Sequence, residues 1–122
     1  MGKVFLTNAF SINMLKEFPT TITIDKLDEE DFCLKLELRL EDGTLINAIG
    51  HDSTINLVNT LCGTQLQKNR VEVKMNEGDE ALIIMISQRL EEGKVLSDKE
   101  IKDMYRQGKI SFYEVWHHHH HH

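Results

Sequence analysis

One small α/β (α+β) domain, with a mixed sheet of about five strands and about three helices, is the fold the sequence predicts, on three observations. Segments with a two-residue apolar period alternate irregularly with segments of helical period. No repeat, low-complexity stretch or proline-rich linker interrupts the 122 residues, which hold a single proline. Six of the seven histidines form the terminal run His117–His122, read as an expression tag. Residues 1–116 then suffice for one modest core and no second domain.

The elements follow in chain order. Lys3 to Asn8 reads as a strand, because Val4, Phe5, Leu6 and Thr7 suit a pleated surface. Ala9 to Leu15 is a loop or a single helical turn. In Thr20 to Asp25, Ile22 and Ile24 alternate with threonines, a strand pattern. Asp28 to about Leu36 opens with an acidic first turn and suits a helix. Leu34, Leu36, Leu38 and Leu40 then alternate with charged residues, so the helix is expected to give way to extended chain. Asp42-Gly43 marks a turn before the short apolar segment Leu45 to Ile49.

Ser53 to Cys62 is the clearest helix, with Ile55, Val58, Leu61 and Cys62 on one face and Gly63 as its stop. Val71 to Met75 alternates, Asn76 to Asp79 is a turn, and Ala81 to Leu90 is a long strand, together predicting a hairpin. Ser97 and Glu100 form a capping box that opens a helix to about Arg106. Gly108 ends it, and Lys109 to Trp116 is a last strand.

Composition narrows the function. The chain is 40% hydrophobic and 28% charged, ordinary for a soluble domain. Its longest apolar run, Ala81 to Ile86, is far short of the roughly 20 residues of a membrane span, and no secretory leader is visible. A cytosolic setting and no membrane partner are therefore expected. A net charge of −6 disfavours long contact with duplex DNA, although Lys68, Arg70 and Lys74 are a local basic group. Cys33 and Cys62 are 29 positions apart and are expected as buried free thiols; a disulfide stays open for a hyperthermophilic source. Outside the tag, one histidine and two distant cysteines leave no zinc ligand set.

Four segments are candidates for chemistry. In Gly50-His51-Asp52-Ser53-Thr54, unpaired N–H groups at a helix start attract anions, and Ser53 and Thr54 add hydroxyl donors. His51, the only histidine outside the tag, is the one side chain there suited to proton transfer near neutral pH. Ser87 to Lys94 ends the long strand with Gln88, Arg89, Glu91 and Glu92, groups for phosphate, base edges or orientation of a hydroxyl. Gln67 to Arg70 is a basic turn, and Asn8 to Asn13 follows the first strand with small polar side chains.

Taken together, KVFLTNAFSINML, IGHDST, QKNRVEVK and ISQRLEEGKVL, spread over Lys3 to Phe112, resemble a family of small proteins from archaeal viruses and some bacteria and phages. The family consists of viral ring nucleases that act as type III anti-CRISPR proteins. The resemblance implies a two-fold homodimer that binds cyclic tetra-adenylate and cuts it without metal or cofactor. In that reaction a ribose 2′-hydroxyl attacks the adjacent phosphorus and expels the 5′-oxygen, leaving a 2′,3′-cyclic phosphate. The residues matching the family's catalytic positions are His51, the general acid, and Glu92, the second glutamate of RLEEG. Asn8, Ser11, Arg70, Gln88 and Arg89 match positions that line the family's pocket. The setting implied is the cytoplasm of an infected host. Intramolecular attack suits a chain that offers no Cys–His or Ser–His–Asp set. Phe112, Tyr113, Val115 and Trp116 are candidates for burial between subunits. The competing readings are a non-catalytic DNA-binding regulator and a module that blocks a host complex.

Overall fold

The computed structural model describes residues 2–91 and 95–118. Along them run β1 (Val4–Thr7), a 3-10 turn (Ile12–Met14), β2 (Ile22–Leu27), α1 (Glu29–Glu41) and β3 (Leu45–Asn47). Then come α2 (Asp52–Cys62), β4 (Glu80–Ile86), α3 (Asp98–Arg106) and β5 (Ile110–His117). All five strands join one mixed sheet in the order β2-β5-β4-β1-β3. β1 is parallel to both its neighbours, β3 and β4, while β5 is antiparallel to β4 and β2.

Alternation along each strand divides the apolar residues between two faces. Val4, Leu6, Leu82, Ile84, Ile110 and Phe112 meet Phe32 and Leu36 of α1, Ile55, Leu57, Val58 and Cys62 of α2, and Ile101 and Met104 of α3. This is the main core, and Phe32 stacks on Phe112 with ring centroids 4.5 Å apart. The opposite face, with Phe5, Ala81, Ile83 and Val115, carries no helix; Leu15, Val73 and Met75 from two loops cover part of it. Ile24 and Met85 remain 52% and 49% exposed there or beside it.

Two expected elements differ. The leucines from Leu34 to Leu40 stay in α1, which continues to Glu41. Phe32 and Leu36 face the core, while Leu34, Leu38 and Leu40 face outward, so their even spacing carries no strand; Leu, Glu, Lys and Arg all favour helix. Asp28 caps the helix by accepting from the Asp31 N–H at 2.8 Å. Val71 to Met75 is not a strand and makes no hairpin with β4; Met75 forms a single bridge to Leu15. β4 is instead enclosed by β1 and β5, and the alternation of Val73 and Met75 serves to cover the sheet's open face.

The expectation of free thiols is also overturned. Cys33 of α1 and Cys62 at the end of α2 form a disulfide, their Cα atoms 5.1 Å apart. α2 ends as its sequence predicts: Gly63 takes a left-handed conformation, φ 69°, and its N–H donates to the Asn59 carbonyl.

At the amino ends of β1 and β4, Lys3 and His117 meet at Asp79. The Lys3 N–H donates to Asp79 Oδ1 at 2.9 Å, and the His117 N–H donates to the Asp79 carbonyl at 3.0 Å. β5 thus takes in the first residue of the histidine run, whose ring is buried with neither nitrogen hydrogen-bonded.

Candidate functional site

Three parallel strands deliver their carboxyl ends to one edge of the sheet. β1 is followed by Asn8, β3 leads through residues 48–50 to His51, and β4 is followed by Ser87-Gln88-Arg89. The chain goes from β3 through α2 to β4, crossing from one side of β1 to the other. A parallel sheet that changes direction in this way opens a crevice at its carboxyl edge.

Local bonding shapes each end. The Thr7 hydroxyl bonds the Ala9 carbonyl at 3.1 Å and turns the chain at exposed Asn8. The Ala48 N–H reaches the Leu6 carbonyl at 2.8 Å, extending the β1–β3 contact toward His51. The Ser87 N–H donates to the Lys109 carbonyl at 2.8 Å, which anchors the end of β4 to the start of β5.

His51 is the residue just before α2, with an extended backbone at φ −114° and ψ 121°. It makes no side-chain cap to the first turn, whose N–H groups carry the positive end of the helix dipole. Its Nδ1 lies 3.4 Å from the hydroxyl of buried Thr54, which leaves Nε2 as the nitrogen for a ligand. Ser53 does not serve as the expected anion donor: it is 2% exposed, and its hydroxyl donates to the Glu91 carbonyl.

Two clefts adjoin at His51. One, of about 320 Å³, is lined by Asn8, His51, Thr54, Ile86, Gln88, Arg89 and Leu90. The other, of about 480 Å³, is lined by Gly50, His51, Asp52, Lys68, Asn69 and Arg70. The loop that brings Arg70 here is pinned to β3. Asn47 Nδ2 donates to the Gln67 carbonyl at 2.6 Å, Asn69 Nδ2 to the Asn47 carbonyl at 2.8 Å, and the Asn69 N–H to the Ile49 carbonyl at 2.8 Å. Arg70 lies so close over Gly50 that a Cβ on Gly50 would come within 2.2 Å of Arg70 Cγ. Lys68 is held 3.1 Å from Asp52 and so meets a phosphate only in competition with a carboxylate.

The structure therefore brings Asn8, His51, Gln88 and Arg89 together in one cleft and sets Arg70 in the next. Ser11, exposed before the 3-10 turn, lines neither. Glu92 lies outside the described residues. Sequence reading missed Thr54 as the partner of the imidazole, although its place three residues after His51 in a helix start was visible. It also missed Ile86 and Leu90 as apolar lining, because the strand was expected to continue to Leu90 and in fact ends at Ile86. A proton donor, two guanidinium-bearing side chains, amide donors and an apolar wall suit a phosphodiester with an attached base. Among the described residues no group of three or more His, Cys, Asp or Glu side chains gathers at metal-binding spacing. No described helix is long and apolar enough to cross a membrane.

The chain's relatives are proteins of archaeal viruses. The family described as STIV B116-like matches residues 4–113. "Uncharacterized protein ORF116" of Acidianus filamentous virus 1 is 44% identical over 109 residues, covering 89% of this chain and 90% of that protein. "Uncharacterized protein ORF117" of Acidianus two-tailed virus is 34% identical over 73 residues, 60% of this chain and 61% of its own length. "Uncharacterized protein 26" of Sulfolobus islandicus filamentous virus is 31% identical over 77 residues, 63% of this chain and 60% of that protein.

Proposed function

The chain belongs to the STIV B116-like family, and we propose that it is a metal-independent ring nuclease that degrades cyclic tetra-adenylate. In this reading it disarms type III CRISPR immunity in the cytoplasm of an infected host. The observation that carries the reading is the shared lining of one cleft by Asn8, His51, Gln88 and Arg89, contributed by three separate strand ends. The same residues stand at motif positions of the family that the sequence resembles.

The ring's ribose 2′-hydroxyl gives up its proton to solvent as its oxygen attacks the adjacent phosphorus, and the bond from phosphorus to the 5′-oxygen breaks. His51 Nε2 gives its proton to that leaving oxygen while Thr54 holds the ring by Nδ1. Arg89 and Arg70 stabilise the charge that builds on the phosphoryl oxygens, and the first-turn N–H groups of α2 add to them. Gln88 and Asn8 bind the ribose and base, against Ile86 and Leu90. Glu92 is assigned the positioning role of the family's glutamate. Products are linear adenylates with a 2′,3′-cyclic phosphate and a 5′-hydroxyl.

The enzyme works as a two-fold homodimer that presents one His51 to each side of the ring. The open sheet face supports this: Ala9, Phe10, Ile24, Ile83, Met85, Tyr113 and Val115 line an apolar hollow of about 270 Å³. Asn8 and Ala9 join that hollow to the His51 cleft, so a copy seated on this face sets two clefts side by side. Phe112 and Val115 are already buried within one subunit; of the expected set, Tyr113 lines the open face, and Trp116, 47% exposed, lies beside Glu80 and Glu114 instead. The DNA-binding reading has less support, because Lys68 is paired with Asp52 and Lys74 with Glu72 at 3.4 Å.

The test is incubation with cyclic tetra-adenylate in EDTA, with products followed by chromatography and mass. Di-adenylate ending in a cyclic phosphate, formed roughly 10²-fold or more slowly by His51→Ala with ring binding retained, is expected. An intact ring in the wild-type reaction refutes the assignment.

A further inference from the structure

Ser53 sits in the first turn of α2, two residues after His51, at a place where a serine side chain commonly faces solvent. Here it is 2% exposed, and its Oγ donates to the Glu91 carbonyl at 2.5 Å across 38 positions of sequence. Glu91 ends the described segment that leaves β4. Gln88, Arg89 and Glu91 are exposed, and Leu90 packs on the edge of the main core. Upstream, the last backbone anchor of the segment is the Ser87 N–H on Lys109. Among the described residues, the Ser53 hydroxyl is the one hydrogen-bond donor that ties residues 88–91 to another element. Without it, Leu90's apolar contact is what remains among the described residues to hold Gln88 and Arg89 beyond the end of β4.

We propose that Ser53 is a positioning residue: it latches the segment after β4 to the start of α2 and so fixes the Gln88–Arg89 wall of the cleft against His51. A serine two residues from the general acid thus spends its hydroxyl on the opposite wall rather than on the ligand. A buried hydroxyl without a partner is unfavourable, so burial and bonding at Ser53 stand or fall together. The latch itself is independent of what the cleft binds; its catalytic consequence rests on the ring-nuclease reading.

The test uses Ser53→Ala in the full chain, with two readouts. Amide hydrogen exchange is expected to speed up roughly fivefold or more over residues 87–91 while residues 55–62 keep their wild-type rates, the opening expected when one hydrogen bond is lost. With cyclic tetra-adenylate as the probe, KM is expected to rise about fivefold with kcat changed less than twofold, the pattern of lost uniform binding. Arg89→Ala should then cost less in the Ser53→Ala background than in the wild type, because the latch acts through Arg89. A serine that only stabilises the fold would lower the melting temperature and leave KM and the double-mutant cycle unmoved below it. Unchanged exchange over 87–91, or full additivity with Arg89→Ala, overturns the proposal. If the wild type itself leaves the ring intact, the nuclease reading falls and the exchange result alone decides the latch. Should Ser53→Ala not fold, Ser53→Cys keeps the volume with a weaker donor and is read the same way.

Discussion

The disulfide between Cys33 and Cys62 closes a loop of 29 positions that contains the end of α1, β3 and the whole of α2. Cutting it frees that loop in the unfolded chain. Closure of 29 residues removes about 12 cal/mol/K of unfolded-state entropy in the chain-entropy treatment, or about 3.6 kcal/mol at 25 °C. A chain of this length gains about 250 cal/mol/K on unfolding, so the loss corresponds to a melting temperature lower by about 14 °C. The perturbation is best made twice. Reduction with a phosphine leaves every side chain in place. The double variant Cys33→Ala and Cys62→Ala removes the sulfurs and adds a small packing loss at Cys62, which is 8% exposed. Calorimetry of oxidised, reduced and double-variant protein should show a drop of about 14 °C for the reduced form and a slightly larger one for the variant. The site should survive at 25 °C, since Cys62 and His51 stand at opposite ends of α2, about 16 Å apart at helical rise. A reduced protein that melts within about 3 °C of the oxidised one refutes the entropic reasoning. A reduced protein that stays folded but loses its cleft activity refutes the separation of bridge and site.

Two further predictions concern single positions. Gly50→Ala places a Cβ against Arg70 Cγ at a position where φ is not positive, so it should push Arg70 aside without straining the backbone. Ring binding, measured by titration calorimetry, is expected to weaken about tenfold, the loss of one charged phosphate contact, while the melting temperature stays within about 2 °C. Glu80 is held above the usual carboxylate range by burial and then by the neighbouring Glu114. Its contribution to stability is thus complete below the ordinary value of 4.5 and is lost as pH rises through the raised one. Glu80→Gln imitates the protonated form and should melt a few degrees higher than the wild type at pH 7, with the gain gone at pH 3; equal gain at both values counts against this account.

How far the sequence disclosed the molecule depended on whether the deciding force was local. α2 and α3 were readable because a helical stripe, a terminal glycine and a capping box lie within a dozen residues of one another. The turn at Asp42-Gly43 and the strands at both ends of the chain were equally plain. α1 was misread because its leucines at even spacing fit two periods, and only the packing of Phe32 and Leu36 under the sheet selects the helix. The supposed hairpin failed for a long-range reason: β4 has β1 and β5 as partners, and nothing near Val71 announces that its alternation serves a loop. At the site, motif resemblance named Asn8, His51, Arg70, Gln88 and Arg89, whereas spacing alone gave only an anion-seeking helix start. Ser53 and Thr54 were visible as hydroxyls, but what they bond to depends on how the segment after β4 folds back.

The meeting of Lys3 and His117 at Asp79 has a practical side. That corner belongs to the amino ends of β1 and β4, the edge of the sheet farthest from the cleft. A short peptide joining Lys3 to His117 would therefore close the chain into a circle without crossing the entrance. Dyes, surfaces or a second subunit fused in tandem can be attached at the same corner and still leave the working edge facing the solution.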